Sequence, residues 1–354
     1  MSLLKINIVG AGVIGLTTAN SLLGRGCRVK IIARDFPNDI NPRYTSTLAG
    51  ADWRSFASRE DIYQQKLDKE TFFHFWKLAE EDSKRTGIMR IDDFCEYYEE
   101  EFEPPWFKKE IFETTWAKER NLSYQNIEKN NLPPGASFGV KHQTVSINPT
   151  KYLNYLFDEF VSSGGNWEKK TISGFEEVIG EETNVAINCT GLGAESLVKE
   201  NEKKKIYPIS GQVIIAKMKL SDPIGFKFKR KSGQKTYFIT RSKLSNEEEK
   251  YEVVLGGTYD ERSSQIEPDS QTTQEIIQGC KEVRPDLFAK ELEIVSVNRG
   301  LRPYREGGVR IESESFGGKG LICHNYGHGG QGFQSSYGSA NEVIKILREK
   351  KILS

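Results

Sequence analysis

Two glycine-rich segments near opposite ends of the chain have the composition of nucleotide-binding loops. Gly10, Gly12 and Gly15 form a G-x-G-x-x-G motif. In this motif the first glycine permits a tight turn, the second leaves room for a pyrophosphate, and the third lets a helix approach a strand. The second segment, residues 324–334, contains four glycines and precedes a predicted helix. One dinucleotide contacted from both segments indicates FAD, held along its length as a buried prosthetic group.

The elements around the first motif follow the order of a βαβ unit. The β-branched run 5–9 predicts a buried strand, residues 13–25 a helix whose amino end faces the phosphates, and residues 28–33 a second strand. Ala33, Arg34 and Asp35 follow, where an acidic ribose-binding residue is expected. Asp35 suits the ribose hydroxyls of FAD and Arg34 suits the 2′-phosphate of NADP, so this segment alone leaves both cofactors open.

Composition excludes several classes of function. The 354 residues carry 50 basic and 50 acidic side chains. Because these charges balance, neither a nucleic-acid-binding surface nor a membrane-binding surface is expected. No apolar run approaches the roughly 18 residues of a membrane span, and no signal peptide is expected before the first strand. The five cysteines lack metal-binding spacing and are typical of reduced thiols in an intracellular protein. His324 and His328 lie in a glycine loop without a carboxylate motif, so no metal site is predicted.

The remaining chain alternates between two kinds of structure. Helices are predicted over 59–87, 148–163, 271–289 and 334–349, and strands over 185–190, 212–216, 236–240, 253–257 and, around a basic turn, 293–314. Residues 98–135 are aromatic and charged and are interpreted as a surface excursion. The nucleotide-binding domain is therefore predicted to be discontinuous, with residues 1–50, 140–200 and 315–354 forming the FAD domain and residues 51–139 and 201–314 forming mainly the substrate domain.

The joint order of seven segments resembles the D-amino-acid oxidase family, which includes D-aspartate oxidase, and especially its fungal members. The matching segments are 10–16, 33–37, 44–53, 188–192, 207–212, 300–303 and 324–327. The resemblance implies an α/β fold, in which a GR-type, Rossmann-like FAD domain is interleaved with an α+β substrate domain on a large twisted mixed sheet. It also implies that Arg34 and Asp35 serve FAD, because the family's FAD enzymes carry the same pair.

The same resemblance implies an activity. The expected reaction is FAD-dependent oxidative deamination of a D-amino acid to a 2-oxo acid, ammonia and hydrogen peroxide, with hydride transfer to flavin N5 and molecular oxygen as the second substrate. No general base is needed if the substrate amine is neutral, because the cofactor carries the difficult chemistry. The alternatives are a D-aspartate oxidase, a glycine or sarcosine oxidase, an NADP-dependent dehydrogenase and a catalytically silent flavin protein.

Site residues follow from residue chemistry and the matched segments together. Arg302 suits bidentate capture of the α-carboxylate, and the alternative is a surface arginine paired with Glu306 or Glu312. Tyr237 is expected to donate to the same carboxylate, and the Gly330 carbonyl to accept from the substrate amine. The predicted substrate-binding residues are Asp52, Arg230, Arg241 and Gln334. The predicted cofactor-binding residues are Gly10, Ala11, Gly12, Val13, Ile14, Gly15, Ala33, Arg34, Asp35, Thr45, Ser46, Ala49, Gly50, Ala51, Asp52, Ile172, Cys189, Thr190, Gly191, Arg302, His328, Gly329, Gly330, Gln331, Gly332, Phe333 and Gln334.

Two departures from the family pattern bear on substrate choice. Asp52 stands where the fungal members have asparagine, and a carboxylate near the pocket favours neutral or basic D-amino acids. Residues 222–237, predicted as a lid, lack the expected second tyrosine, for which Phe226 and Phe228 are candidate replacements. The same segment is basic, so Arg230 or Arg241 is the candidate to neutralise an acidic side chain. The Asp52 motif is the better matched of the two, which favours neutral substrates.

The resemblance also implies a location and an assembly. Family members are typically peroxisomal through a C-terminal Ser-Lys-Leu-type signal. The last four residues, 351–354, do not form that tripeptide, so a cytoplasmic location is the alternative. A homodimer is compatible with the resemblance.

Overall fold

A computed structural model describes residues 4–100, 102–180, 183–233, 235–244, 249–289 and 291–353. Six strands, numbered in chain order along the whole protein, form the first sheet in the order β14-β15-β7-β1-β2-β6. Its pairs are parallel except β14 with β15. Its strands are β1 (Lys5–Val9), β2 (Arg28–Ala33), β6 (Asn166–Lys169), β7 (Val185–Asn188), β14 (Arg310–Phe316) and β15 (Gly320–Tyr326). We call it the nucleotide sheet.

A second, nine-stranded sheet has the order β12-β8-β11-β10-β9-β3-β5-β4, with β13 also paired to β8. We call it the substrate sheet. Its pairs are antiparallel except β3 with β9. Its strands are β3 (Ile88–Tyr98), β4 (Tyr124–Asn126), β5 (Phe138–Ile147), β8 (Ile206–Lys219), β9 (Ile224–Lys229), β10 (Lys235–Lys243), β11 (Lys250–Gly256), β12 (Asp260–Glu261) and β13 (Glu293–Arg305).

Several helices begin at a residue whose side chain caps the first turn. Asn148 caps α4 by accepting a hydrogen bond from the Lys151 amide, and Pro149 occupies the first turn. Asp61 and Asp269 cap two other helices in the same way. The helices are α1 (Val13–Leu23), α2 (Ile62–Thr86), α3 (Thr115–Glu119), α4 (Pro149–Ser162), α5 (Glu200–Lys203), α6 (Ser270–Val283) and α7 (Gly332–Glu349). In the described parts of the chain, no helix combines the length and apolar character that a membrane crossing requires.

The predicted α/β fold class is confirmed, and the βαβ unit agrees within two residues at each boundary. Strand β5 extends the substrate sheet into the range predicted for the FAD domain, and β14 joins the nucleotide sheet from the range predicted for the substrate domain. Strand β14 crosses the predicted boundary because it forms an antiparallel hairpin with β15, and β5 crosses it because it pairs with β3 and β4.

Three local predictions are wrong. Residues 98–135 are not a surface excursion, because Trp106, Phe107, Ile111 and Phe112 are buried in the largest hydrophobic core. The predicted lid over 222–237 contains β9 and the start of β10, which pair in register within the substrate sheet. Arg302 lies inside β13 rather than in a turn, because β13 pairs with β8 continuously past this position.

Candidate active site

A cavity of about 1570 Å³ lies between the carboxyl ends of β1, β2 and β7 and one face of the substrate sheet. This volume exceeds the roughly 300–1,000 Å³ of a pocket for a single drug-sized ligand. Almost all predicted site residues line the cavity. The exceptions are Gly15, Arg230 and Arg241.

The nucleotide end of the cavity is shaped by glycine. Gly10 has a φ of +106°, and a Cβ there would collide with the Cys189 carbonyl, so the turn after β1 requires glycine. A Cβ at Gly15 would overlap the Gly10 carbonyl, because α1 passes close to the end of β1. At Gly12 the nearest atom to an added Cβ would be Ser46 Oγ at 3.0 Å. Gly12 lines the cavity, and a side chain there would crowd Ser46 and enter the cavity beside the helix amino end.

The amino end of α1 meets this opening without an acidic or capping side chain of its own. Gly12 is its N-cap, the first turn contains no acid, and the Val13 amide donates to Ser46 Oγ at 3.1 Å. A helix start of this kind attracts anionic phosphates through its unpaired amides and the positive end of its dipole. The arrangement fits the pyrophosphate of a dinucleotide.

Arg34 and Asp35 line the cavity at the end of β2 and pair with each other. The Arg34 Nε donates to Asp35 Oδ2 at 2.8 Å, and Asn41 Nδ2 donates to the same carboxylate at 3.1 Å. Because the Asp35 charge balances the Arg34 guanidinium, the pair presents no free cation for the 2′-phosphate of NADP. The residues present fit FAD, because a glycine cradle, a helix amino end and a carboxylate all line a cavity of about 1570 Å³, which has room for a dinucleotide and a small substrate.

At the substrate end, Arg302 projects from β13 into space left by a glycine. A Cβ at Gly211, on the neighbouring strand β8, would overlap the Arg302 guanidinium. Its Nη1 donates to the Ser210 carbonyl at 3.3 Å, and no carboxylate of the described residues forms an ion pair with it. Glu312, proposed above as a surface partner, pairs instead with Arg310 at 2.7 Å. Arg302 is therefore a cation in the cavity without a protein counter-charge.

The structure brings Tyr237 and Gly330 to the same place. A Cβ at Gly256, on β11, would overlap the Tyr237 ring, so that glycine makes room for the tyrosine. Burial raises the pKa of Tyr237, and the nearby Arg302 charge opposes part of that rise, so the phenol is a neutral donor. A Cβ built on Gly330 would lie 3.5 Å from Arg302 Cδ. Arg302 therefore lies beside Gly330, and its charge acts on the Tyr237 phenol.

Gln334, at the start of α7, is held by a buried network. Its Nε2 donates to Asp68 Oδ2 at 3.1 Å, and Asp68 also accepts from Ser55 Oγ at 2.6 Å and Gln64 Nε2 at 2.7 Å. Trp106 Nε1 donates to Ser55 Oγ at 2.9 Å. Burial raises the pKa of Asp68 to about 7 in spite of these donors. The network fixes the Gln334 amide toward α2.

His324, on β15, and His328, in the glycine turn that follows, are both buried and uncharged. Burial lowers the pKa of His328 to about 3 and that of His324 to about 4. His328 Nε2 lies 3.0 Å from Ser339 Oγ on α7, which anchors the glycine turn to the following helix. Neither ring is a proton donor or acceptor that titrates near neutral pH.

The predicted specificity residues lie elsewhere than expected. Arg230 pairs with Glu282 at 3.0 Å and Glu99 at 3.5 Å, outside the cavity lining. Arg241 is buried and pairs with Glu252 at 3.6 Å, also away from the lining. Arg230 follows the end of β9. Arg241 lies at the register shift of β10, past Tyr237 and Ile239, which line the cavity.

Asp52 lines the cavity, but its charge is compensated. Its Oδ2 lies 2.7 Å from Lys227 Nζ, and the two side chains are only 7% and 19% exposed. The sequence did not predict this ion pair. Asp52 and Lys227 are far apart in the chain and meet only when β9 joins the sheet.

Three further cavity residues were missed. Arg54 donates through Nε to Glu96 Oε2 at 3.1 Å and through Nη2 to the Tyr98 hydroxyl at 3.2 Å. Lys235 and Tyr259 also line the cavity. Strand periodicity could have placed Lys235 in the cavity. Residues two apart in a strand share a face, and Tyr237 is two positions after Lys235.

Comparisons with known proteins agree with this architecture. Residues 5–346 match the model of a family described as FAD dependent oxidoreductase. A D-amino-acid oxidase of Schizosaccharomyces pombe is 32% identical over 98% of this chain and 96% of its own length. A D-amino-acid oxidase of Fusarium vanettenii is 29% identical over 97% and 96%. Among solved structures, glycine oxidase from Bacillus cereus superposes with a TM-score of 0.71 at 17% identity, covering 98% of this chain and 95% of that protein.

Proposed function

Because this chain belongs to the FAD dependent oxidoreductase family, we propose that it is an FAD-dependent D-amino-acid oxidase. The proposed reaction converts a D-amino acid and oxygen to a 2-oxo acid, ammonia and hydrogen peroxide. The observation that carries it is the Arg302 guanidinium, which lies beside Tyr237 and Gly330 and lacks a protein carboxylate among the described residues. The names of the relatives from Schizosaccharomyces pombe and Fusarium vanettenii support the same activity.

Each residue has a separate task in this proposal. Arg302 binds the α-carboxylate with its planar fork of donors, and Tyr237 adds a neutral hydrogen bond. The Gly330 carbonyl accepts a hydrogen bond from the substrate amine and thereby orients the α-hydrogen. Bound FAD supplies the acceptor for the hydride and later the site of oxygen reduction.

The charges around the substrate also act on its proton. Arg302 has no carboxylate partner in the described residues, so it adds positive potential to this end of the cavity. A positive potential lowers the pKa of an ammonium group and favours the neutral amine that hydride transfer requires. The two buried, uncharged histidines are not needed as bases in this scheme.

A direct experiment tests the proposal. Purified protein is expected to be yellow, to show flavin absorbance, and to release hydrogen peroxide with D-amino acids without added NADPH. The matched L-enantiomers are the control and are expected to give no peroxide. Peroxide from L-enantiomers alone, or from no amino acid, would contradict the proposal.

A glycine or sarcosine oxidase is the second candidate, because glycine oxidase from Bacillus cereus has a similar fold. That likeness, at 17% identity, concerns the fold. Turnover of glycine and sarcosine in the same peroxide assay, with D-alanine for comparison, separates the two candidates. Preference for the achiral amines would replace the first proposal by the second.

The peroxisomal location and the homodimer also belong to this proposal, since both rest on family resemblance. Cell fractionation with a peroxisomal marker tests the first, and size-exclusion chromatography with light scattering tests the second. Recovery in the cytosolic fraction would favour the cytoplasmic alternative.

A further inference from the structure

The end of the cavity that holds Arg302 contains more basic than acidic charge once its ion pairs are counted. Arg54 is paired with Glu96 at 3.0 Å, Lys227 with Asp52 at 2.7 Å, and Arg59 with Glu103 at 3.2 Å. Lys235 and Arg302 have no carboxylate partner among the residues that the structure describes.

The cavity is also lined by two carboxylates that belong to none of these pairs. Glu60 and Glu275 are exposed, and neither forms an ion pair with Lys235 or Arg302 within the described residues. Lys229, directly opposite Lys235 in the sheet, is exposed and adds positive charge. Three lining cations, Lys229, Lys235 and Arg302, thus lack a carboxylate partner in the described residues, against two unpaired carboxylates.

Lys235 projects toward the same space as Tyr237. The two residues are two positions apart on β10, so their side chains share a face of the substrate sheet. Lys235 Nζ lies 5.3 Å from the centroid of the Phe56 ring and 5.6 Å from that of Tyr259. Its ammonium is thus held between two aromatic rings at the cavity wall.

Tyr259 connects two of these cations, Lys235 and Arg302. The same ring lies 5.7 Å from the Arg302 guanidinium carbon, so Lys235 and Arg302 both approach it. Burial and the surrounding cations Lys227, Lys229, Arg54 and Arg302 lower the pKa of Lys235. A bound anion would relieve that mutual repulsion, and Arg302 already takes one carboxylate in the proposed reaction.

Asp52 does not oppose an anion here. A single uncompensated carboxylate would repel a second negative charge, but Lys227 neutralises it within an internal ion pair. The expected preference for neutral substrates depended on an uncompensated Asp52, so the ion pair removes its basis.

We propose that the cavity selects D-amino acids whose side chain ends in a carboxylate, and that Lys235 is the residue that binds this carboxylate. The inference rests on the proposed oxidase function and names its substrate class. Arg302 binds the α-carboxylate, Lys235 binds the side-chain carboxylate, and Phe56 and Tyr259 hold the lysine in position. D-Aspartate and D-glutamate share this chemistry, and side-chain length distinguishes them in the test.

Isosteric substrate pairs isolate the charge. Holoenzyme is assayed for peroxide with D-aspartate against D-asparagine and with D-glutamate against D-glutamine. We expect the acid to be preferred at least about tenfold in kcat/KM in one of the pairs, as for a charge-assisted hydrogen bond. Equal or better turnover of both amides would overturn the proposal.

Variants assign the effect to one side chain. In Lys235→Met, kcat/KM for the preferred acid is expected to fall about 10- to 100-fold, mainly through KM, while the amides change less than about threefold. Lys235→Arg is expected to keep the preference for the acid. Lys231→Met is the matched control, because Lys231 lies outside the cavity and pairs with Glu100 at 3.0 Å. Equal losses on acids and amides in Lys235→Met would contradict the assignment.

A binding measurement covers variants that lose turnover. Malonate and propionate are titrated against the flavin absorbance of each holoenzyme. Wild type and Lys235→Arg are expected to bind malonate more tightly, and Lys235→Met is expected to lose that difference. Oxidation of D-alanine and the amides without a preference for acids would overturn this inference and leave the oxidase proposal standing, whereas no oxidation of any D-amino acid would overturn the oxidase proposal.

Discussion

The two ends of the cavity are built from different kinds of chemistry. At the nucleotide end, backbone geometry dominates: Gly10 and Gly15 are required by close contacts, and the amino end of α1 supplies amides. At the substrate end, charged side chains from separate strands dominate, and most are paired with one another. The first end depends on where side chains are absent, and the second on which charges remain after pairing.

This difference determines how each end responds to substitution. A glycine cradle fails when a side chain fills it, so its loss is nearly complete. In a charged pocket each substitution removes one interaction with the substrate. The loss of activity is therefore larger when the removed group is charged and smaller when it is neutral. The predictions below test this contrast.

The largest effect is expected at Gly12. In Gly12→Val the added Cβ comes within 3.0 Å of Ser46 Oγ, so the Ser46 side chain has to shift, and the valine occupies the space beside the helix amino end. We expect a folded, colourless protein without oxidase activity, measured by flavin absorbance and circular dichroism. Gly24→Val, at the other end of α1, is the control, because the nearest atom to its Cβ is at an ordinary 3.5 Å. Normal flavin content in Gly12→Val would contradict the phosphate assignment.

The next effect is expected at Arg302. Arg302→Leu removes the charged donor fork and is expected to lower kcat/KM by about 30-fold to several thousand-fold, equivalent to roughly 2–5 kcal/mol, with flavin retained. Arg262→Leu is the control, because Arg262 is an exposed arginine stacked 4.2 Å from the Tyr207 ring centroid. Near-normal kcat/KM in Arg302→Leu would show that another residue binds the carboxylate.

The sequence predicted the nucleotide end better than the substrate end for a physical reason. Glycine requirements are local, so Gly10, Gly12 and Gly15 could be placed from a strand, a turn and a helix that follow one another. Pairing of charges is not local: Lys227 reaches Asp52 only after β9 joins the substrate sheet. For the same reason Arg230 and Arg241 were expected in the pocket, although carboxylates outside it hold them.

A similar limit applies to the fold. The βαβ unit and the helix starting at Pro149 were predictable, because capping residues and periodicity mark them. Residues 98–135 were not, because their aromatic residues follow neither strand nor helix periodicity. Trp106 and Phe107 are buried through contacts with distant segments, including Ser55.

An intermediate effect is expected from the buried Asp68, which accepts a hydrogen bond from Gln334. Its pKa is raised to about 7 in the folded protein, against 3.8 for an exposed aspartate. Between about pH 4 and 7 the unfolded chain has lost this proton while the folded protein keeps it. The free energy of unfolding therefore falls as pH rises through that window, by at most about 1.4 kcal/mol per unit.

In Asp68→Asn this part of the pH dependence is expected to disappear. Urea unfolding at several pH values between 5 and 8 measures it, with flavin content determined for each sample. Asp286→Asn is the control, because the Arg284 side chain holds the pKa of Asp286 below its usual value and that carboxyl does not titrate in this range. An unchanged slope in Asp68→Asn would show that Asp68 is already ionised in the folded protein.

The smallest effect is expected at Tyr237, where a neutral donor joins the charged one. Tyr237→Phe removes one hydroxyl and leaves the ring that fills the space above Gly256. The net value of a neutral hydrogen bond predicts a loss of only about 3- to 10-fold in kcat/KM, compared with the much larger loss in Arg302→Leu. Tyr251→Phe is the control, because Tyr251 lies on β11 away from the cavity lining. If Tyr237→Phe lost as much activity as Arg302→Leu, the hydroxyl would do more than donate one hydrogen bond. The contrast between charged and neutral contacts at this end of the cavity would then be wrong.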